Sequence, residues 1–378
     1  MKRVLILGGG FGGIATARRL KQKLDEEDEV ILVDRRDYFM AGFRKTWALT
    51  GQSTLEAGQR PLDGLTGLGV RVMRDGVTRI DPAARTAWMG DQRLSADALV
   101  VALGAELAPE AIPGFGQYAY NVYDPQDIPR AAQALNEFQG GTLLIGVFGV
   151  PYKCPPAPYE MALLIREALQ ARGAKGNIEV FTPQPVSMPL LGQVGCDIIE
   201  GRLADSGITF LPNRKATAVE AGEVVFTNER RRYDLLFGIP PHRPPAVVRE
   251  SGLVSESGWV SVNSRTLETQ FPGVYAIGDV VQIAMANGKP LPKAGVFAEG
   301  MGETVADRIA AAFKGQEPDA TFAGEGGCYL EVGEGQAMMV RGHFMAVPAP
   351  EIALTDASAQ LLEEKRAFET QRLQAWFG

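Results

Sequence analysis

Histidine is nearly absent from this chain, with two in 378 residues. His242 and His343 lie far apart with no carboxylate cluster beside either, so histidine-based metal sites and Ser-His-Asp catalysis are poor readings and no metal is expected. Cysteine is almost as scarce. Cys154, Cys196 and Cys328 are too few and too scattered for a structural disulfide framework, and none forms a C-x-x-C pair. In a reducing compartment, a disulfide among them would be catalytic sooner than structural. No apolar run reaches the ~18 residues of a membrane-spanning helix. Basic charge is also short: 38 Lys and Arg stand against 45 Asp and Glu, a net charge of −7. That balance argues against nucleic acid, and against an anionic membrane surface, as main partners. Met1-Lys2-Arg3 runs into a strand whose apolar stretch ends in glycines and not in a small-residue cleavage site, so a cytoplasmic chain is expected.

What the chain does have is glycine in one telling place. Arg3 to Leu7 is an apolar run of strand length that enters Gly8-Gly9-Gly10-Phe11-Gly12-Gly13, a G-x-G-x-x-G. Ile14, Ala17, Leu20 and Leu24 follow at helical spacing, and a second strand, Val30 to Val33, ends in Asp34. Strand, glycine loop, helix, strand and acid in this register predict a dinucleotide site. The loop glycines admit a pyrophosphate to the helix N-terminus and the acid bonds a ribose hydroxyl. Gly8, Gly10, Phe11, Gly12, Gly13, Asp34 and the adjacent Arg35 are the candidate contacts. Short strands at Val70–Met73, Val77–Ile80 and Thr86–Met89 precede a buried strand that ends in Gly104, a further candidate. Near the other end, Phe271 to Ile277 reads as a short strand closing in Gly278-Asp279, where the acid can meet a ligand hydroxyl. Lys293, Ala294 and Gly295 then open a long helix to Phe313, an N-terminus suited to anions.

A second strand–helix–strand unit begins at Thr142–Gly146, but Gly146-Val147-Phe148-Gly149-Val150-Pro151 is not a second fingerprint, and the next strand ends in Thr182-Pro183 where a nicotinamide ribose would need an acid. In its place comes Pro151-Tyr152-Lys153-Cys154-Pro155-Pro156-Ala157-Pro158. Its prolines stiffen the loop, and the helical run from Met161 to Ala171 sets the thiol near a helix N-terminus, where the thiolate is favoured. A buried structural cysteine is the other reading of the loop alone. Cys196 lies before an amphipathic helix and reads as an incidental thiol. A hairpin (Cys328–Val332, turn at Gly333-Glu334-Gly335, Gln336–Arg341) and a helix, Leu361–Phe377, complete the chain.

The two-part nucleotide site resembles that of the FAD-dependent pyridine nucleotide–disulfide oxidoreductase superfamily. Within it, Tyr152 to Glu160, Pro240-Pro241-His242-Arg243, Gly258 to Val262, Ala276 to Asp279, Pro292 to Gly295, Gly327-Cys328-Tyr329 and Trp376-Phe377-Gly378 resemble the sulfide-oxidising branch: sulfide:quinone oxidoreductase and the flavocytochrome c sulfide dehydrogenase flavoprotein subunit. The resemblance implies an α/β fold of two Rossmann-like, three-layer ββα nucleotide-binding domains plus a small C-terminal α+β segment. The expected division is 1–108 and 229–315 for the FAD domain, 109–228 for a second domain with a degenerate NAD site, and 316–378 for a redox or interface region. It further implies that Cys154 and Cys328 form a redox pair on the flavin, oxidise sulfide or a related sulfur compound, and pass electrons to a quinone or a c-type cytochrome. Glu160 is the candidate acid/base; complementing the helix dipole is its plainer role. Lys293 is expected to stabilise negative charge on the reduced cofactor.

Three departures sharpen these expectations. Tyr38 to Gly42 holds no cysteine for covalent attachment, so the FAD should be non-covalent. No export signal is visible. The third cysteine of many quinone-reducing members is missing between Gly104 and Pro113. The terminal helix carries three acids and three bases over 361–377, giving lipid no net attraction; docking on the core or on a second subunit is favoured over a weak, peripheral membrane contact, and a homodimer stays open. An NAD(P)H-dependent flavin disulfide reductase and a flavin/thiol redox sensor without turnover are the competing readings.

Overall fold

The strand Arg3–Leu7 is buried along nearly its whole length, as a strand between two parallel neighbours must be. It pairs in parallel with Glu29–Asp34 on one side and Ala98–Val101 on the other. Arg71–Arg74 and Val274–Ala276 extend the sheet to five strands, so chain segments before and after the middle of the sequence share one sheet. The computed structural model that establishes this describes residues 1–378.

The helix Phe11–Lys23 crosses the helix Gly295–Phe313 over this sheet. Glycine makes the crossing close: a Cβ on Gly302 would sit 2.4 Å from the Gly12 carbonyl oxygen. Thr16 Oγ1 donates to the Gly302 carbonyl, and Arg19 pairs with Asp307 at 2.8 Å. A three-stranded antiparallel sheet, Val77–Asp81, Thr86–Met89 and Gln92–Ser95, supplies the third layer.

A second parallel sheet runs in the order Tyr120–Asn121, Leu235–Ile239, Thr142–Val147, Asn177–Phe181, Ile208–Leu211. Its own antiparallel sheet joins Ala216–Glu220, Glu223–Phe226 and Arg230–Arg232. The fold is therefore α/β with two Rossmann-like, three-layer units. One expected boundary is corrected. Leu235–Ile239, assigned by the sequence to the returning part of the FAD domain, pairs with Thr142–Val147 in the second sheet. The chain crosses between the units at Glu106–Leu107 and recrosses at His242–Arg243, and these two segments pair antiparallel.

The C-terminal segment is a three-stranded antiparallel sheet, Glu325–Gly333, Gln336–His343 and Glu351–Leu354, followed by a helix, Ala359–Phe377. Ser358 caps that helix by accepting the Leu361 N–H at 3.2 Å. The helix lies on the protein's own core. Its buried stripe is Leu362, Lys365, Glu369, Leu373 and Trp376, with Trp376 edge-on to Phe11 and Phe39.

Candidate active site

Three segments distant in sequence meet at Cys154. Its N–H donates to the Lys293 carbonyl at 2.9 Å, which ties the proline-rich loop to the chain entering the 295–313 helix. Cys154 is held at φ +84°, a strained conformation for a residue with a side chain. The helix that follows begins at Ala157, earlier than the sequence suggests, and Ala157 donates back to the Cys154 carbonyl.

Cys328 arrives from the C-terminal sheet. The glycine before it is required there, because a Cβ on Gly327 would lie 2.3 Å from the Val340 carbonyl oxygen. Both thiols are free and half-buried, and each lies close enough to shift the acidity of the other. Cys328 beside it holds Cys154 below the ordinary thiol range, against burial and the charge of Glu160. Cys154, with burial, pushes Cys328 far up. The pair is thus asymmetric, with Cys154 the more acidic thiol and Cys328 the less acidic one. Cys196, by contrast, is buried inside the helix Gly192–Asp205 and not before it, and its thiol donates to the Met188 carbonyl at 3.2 Å.

Glu160 lies in the first turn of its helix, 3% exposed. Its carboxylate accepts from Lys365 Nζ at 2.9 Å and from the Glu331 N–H at 2.8 Å. Lys365 also donates to Glu331 at 2.7 Å, and Glu331 accepts from the Trp47 indole. Beside this group, Arg44 pairs with Glu369 of the terminal helix. Burial pushes Glu160 upward against the pull of Lys365, while burial of Lys365 is outweighed by its two carboxylates, which raise it. Sequence reasoning placed Lys365 among the helix's polar residues and gave it no site role. Only its contact partners reveal one.

The nucleotide loop suits a dinucleotide. The N–H groups of Gly10, Phe11, Gly12 and Gly13 have no backbone acceptor, the arrangement that binds pyrophosphate at a helix N-terminus. A Cβ on Gly10 would meet nothing within 4 Å, whereas one on Gly8 would meet the Ala102 carbonyl oxygen at 2.3 Å and one on Gly13 the Gly8 carbonyl oxygen at 1.8 Å. Phe11 contributes its backbone here; its ring packs on Phe39 and Trp376. Asp34 is buried and accepts from the Gly9 N–H at 2.6 Å. Burial works against its charge, yet Arg36 and these N–H groups hold its carboxyl below the usual range. Arg36 is bonded to Asp34 at 2.9 Å, and Arg35, the candidate contact from sequence, is exposed beside it.

At the far end, Gly104 (φ +66°) and Gly278 (φ +74°) take conformations that favour glycine. A small cavity is lined by Gly278, Asp279, Lys293, Ala294, Phe297 and Met301. Burial raises Asp279 while Lys153 and Lys293 pull it down, and no protein donor reaches its carboxylate, which leaves it for a ligand hydroxyl. Lys293 is buried, donates to the Asp279 and Val281 carbonyls at 2.7 and 2.9 Å, and lies 3.4 Å over the Trp259 ring. Burial pushes it down to about 8. Its one ammonium nitrogen is already engaged by these two backbone carbonyls beside the Gly278-Asp279 turn. Ala294 caps the long helix and Gly295 abuts the Phe11 ring.

A dinucleotide fold that brings two thiols into contact beside a buried carboxylate–lysine group defines a flavin- and thiol-bearing oxidoreductase. The chain belongs to the pyridine nucleotide-disulphide oxidoreductase family, whose sequence profile it matches over residues 2–150 and 160–302. That family implies an FAD cofactor, and the residues just described fit it. Among curated relatives, the mitochondrial sulfide:quinone oxidoreductase of Mus musculus is 24% identical over 365 residues, spanning 91% of this chain and 79% of that one. The alternative NAD(P)H-ubiquinone oxidoreductase C1 of Arabidopsis thaliana is 31% identical over 340 residues, spanning 77% of this chain and 63% of its own. Among solved structures, the sulfide:quinone oxidoreductase of Aquifex aeolicus superposes with a TM-score of 0.90 at 23% identity, covering 100% of this chain and 92% of that chain.

Proposed function

We propose that this protein oxidises sulfide, or a related small sulfur nucleophile, through a Cys154–Cys328 disulfide and delivers the electrons to a quinone. The observation that carries the reading is the convergence of the two cysteine-bearing segments: the Lys293 carbonyl anchors the Cys154 N–H at 2.9 Å, and Glu160, on the helix after Cys154, accepts the Glu331 N–H of the Cys328 strand at 2.8 Å. In the oxidised protein, hydrosulfide attacks Cys328. A new S–S bond forms there, the Cys154–Cys328 bond breaks, and its electron pair stays on Cys154, the thiol of lowered pKa and so the better leaving group. A second hydrosulfide takes the outer sulfur as hydrogen disulfide anion and leaves a thiol and a thiolate. Re-forming the disulfide releases two electrons and one proton.

Bound FAD supplies the two-electron acceptor. The chain holds it through the Gly10–Gly13 N–H groups, Asp34 and Asp279, and non-covalently, since Tyr38 to Gly42 has no cysteine. Glu160, raised by burial and steadied by Lys365, is the acid/base beside the thiols. Half-buried Phe43, Tyr329 and Phe368 pack on one another on the C-terminal segment, an aromatic cluster that suits a flat apolar acceptor. The relatives named for quinone chemistry support that choice over a cytochrome.

The likeness to an NAD(P)H-ubiquinone oxidoreductase favours a second reading, but the second nucleotide unit argues against it. A Cβ on Gly149 would lie 2.9 Å from Pro241, Phe148 packs edge-on to Phe115 and Phe181, and Thr182 stands where the ribose acid belongs. The test is sulfide-dependent reduction of a short-chain quinone by the holoprotein. Turnover in the wild type and its loss in both Cys154→Ser and Cys328→Ser supports the reading; turnover with either variant at the wild-type rate removes it.

A further inference from the structure

Lys293 carries two anchors at once, one on its backbone and one on its side chain. Its carbonyl accepts the Cys154 N–H at 2.9 Å, and a parallel bridge joins Lys293 to Lys153. Its buried ammonium donates to the Asp279 and Val281 carbonyls at 2.7 and 2.9 Å. An ammonium has three donors, so one N–H remains beyond these two carbonyls. The Trp259 ring takes that side, with the nitrogen 3.4 Å from its centroid, and an aromatic face attracts a cation. Trp259 belongs to Gly258 to Val262, a segment to which the redox reading gives no part. It is buried and carried by the same turn: Val260 donates to the Val280 carbonyl at 3.1 Å, and the Val260 carbonyl accepts from the Gln282 N–H at 3.2 Å.

An ammonium shared by two carbonyls and a ring has no donor left to offer a cofactor. What its geometry does is tie the Cys154 loop to the Gly278-Asp279 turn. We propose that Lys293, gripped by Trp259, is a positioning residue that fixes Cys154 relative to the turn that holds FAD. A residue with a side chain keeps a φ of +84°, as Cys154 does, only where its surroundings over-determine it, and the Lys293 anchor supplies part of that restraint. The assignment rests on the FAD and Cys154 roles proposed above, and not on sulfide being the substrate.

Two readouts on the full chain test it, and neither uses sulfide: FAD affinity by flavin fluorescence, and the rate at which iodoacetamide alkylates Cys154 in the FAD-loaded protein. A Cys328→Ser background keeps Cys154 a free thiol beside the oxidised cofactor. In that background, Lys293→Met should weaken FAD binding about tenfold, the scale of a hydrogen bond from a charged group. It should also speed Cys154 alkylation about fivefold, as the loop loosens and access to the thiol rises. Trp259→Leu should move both readouts the same way by about fivefold, and Trp259→Phe, which keeps an aromatic face, should recover most of both. Weakened FAD binding with Cys154 alkylation unchanged means that Lys293 serves the cofactor alone, and overturns the link. A Trp259→Phe variant as impaired as Trp259→Leu means that the ring only fills space, and overturns its hold on Lys293. The Trp259 pair leaves Lys293 in place, so it decides the matter even where Lys293→Met does not fold. Absence of sulfide turnover in the wild type would remove the sulfide reading and leave these outcomes to decide the positioning role.

Discussion

Lys365, on the last helix of the chain, donates to Glu160 at 2.9 Å across 205 positions of sequence. Both groups are buried, and each pulls the other toward its charged form against that burial. Replacing Lys365 by Met would leave Glu160 and Glu331 together without their cation. Because removing one partner of a buried pair costs about 3–5 kcal/mol, Lys365→Met should lower unfolding stability by about that much. Glu160→Gln should cost less, since Lys365 keeps Glu331. Chemical denaturation of both variants checks this, and equal losses would contradict it.

Cys328, beside Cys154, holds that thiol below the ordinary range. Cys328→Ala should raise the Cys154 pKa by about one unit, since a charge-assisted hydrogen bond of ~1.4 kcal/mol corresponds to a tenfold change. Cys328→Ser, which retains a donor, should raise it less. The pH midpoint of thiolate absorbance near 240 nm reads both; identical midpoints in wild type and Cys328→Ala would contradict the assignment.

Much of this was legible in sequence, and the failures have physical causes. The first glycine loop and Asp34 stood out because strand, helix and acid follow at fixed local distances. The helix Gly295–Phe313 was readable from its own periodicity. Leu235–Ile239 was placed in the wrong unit because a strand buried on both faces reads alike in either sheet, and only its pairing distinguishes them. Lys365 was missed because the buried stripe of its helix carries Lys365 and Glu369 among Leu362, Leu373 and Trp376, which blurs the amphipathic pattern. Its partners Glu160 and Glu331 carry no local signal. The meeting of Cys154 with Cys328 could be expected only from resemblance, because their spacing alone dictates no contact.

Asp34 makes stability depend on pH. Its folded-state pKa lies below the ordinary carboxylate value, so its contribution is present above the unfolded value near ~4 and is lost as pH falls through the depressed folded value. Asp34→Asn should therefore be less stable than wild type by about 1–2 kcal/mol at pH 7, with the gap closing toward pH 3. A gap that widens on acidification would contradict the hydrogen-bond assignment.

Gly10 and Gly13 should respond to alanine differently. A Cβ at Gly13 would collide with the Gly8 carbonyl, and Gly13→Ala should lose about 3 kcal/mol or more of stability. Gly10→Ala has open space and should keep the apoprotein within about 1 kcal/mol of wild type, yet bind FAD at least tenfold more weakly if the pyrophosphate lies there. Thermal unfolding of apoprotein and flavin fluorescence titration separate the two effects. Tight FAD binding by Gly10→Ala would move the pyrophosphate elsewhere.

The central claim is that electrons enter through the cysteine pair and not through a nicotinamide. Anaerobic titration of the FAD-loaded protein with sulfide, and separately with NADH, while following flavin absorbance near 450 nm, tests it most directly. The account predicts bleaching by sulfide, none by NADH, and none by sulfide in Cys154→Ser. Bleaching by NADH with no response to sulfide would contradict it and restore a nicotinamide site to the second nucleotide unit.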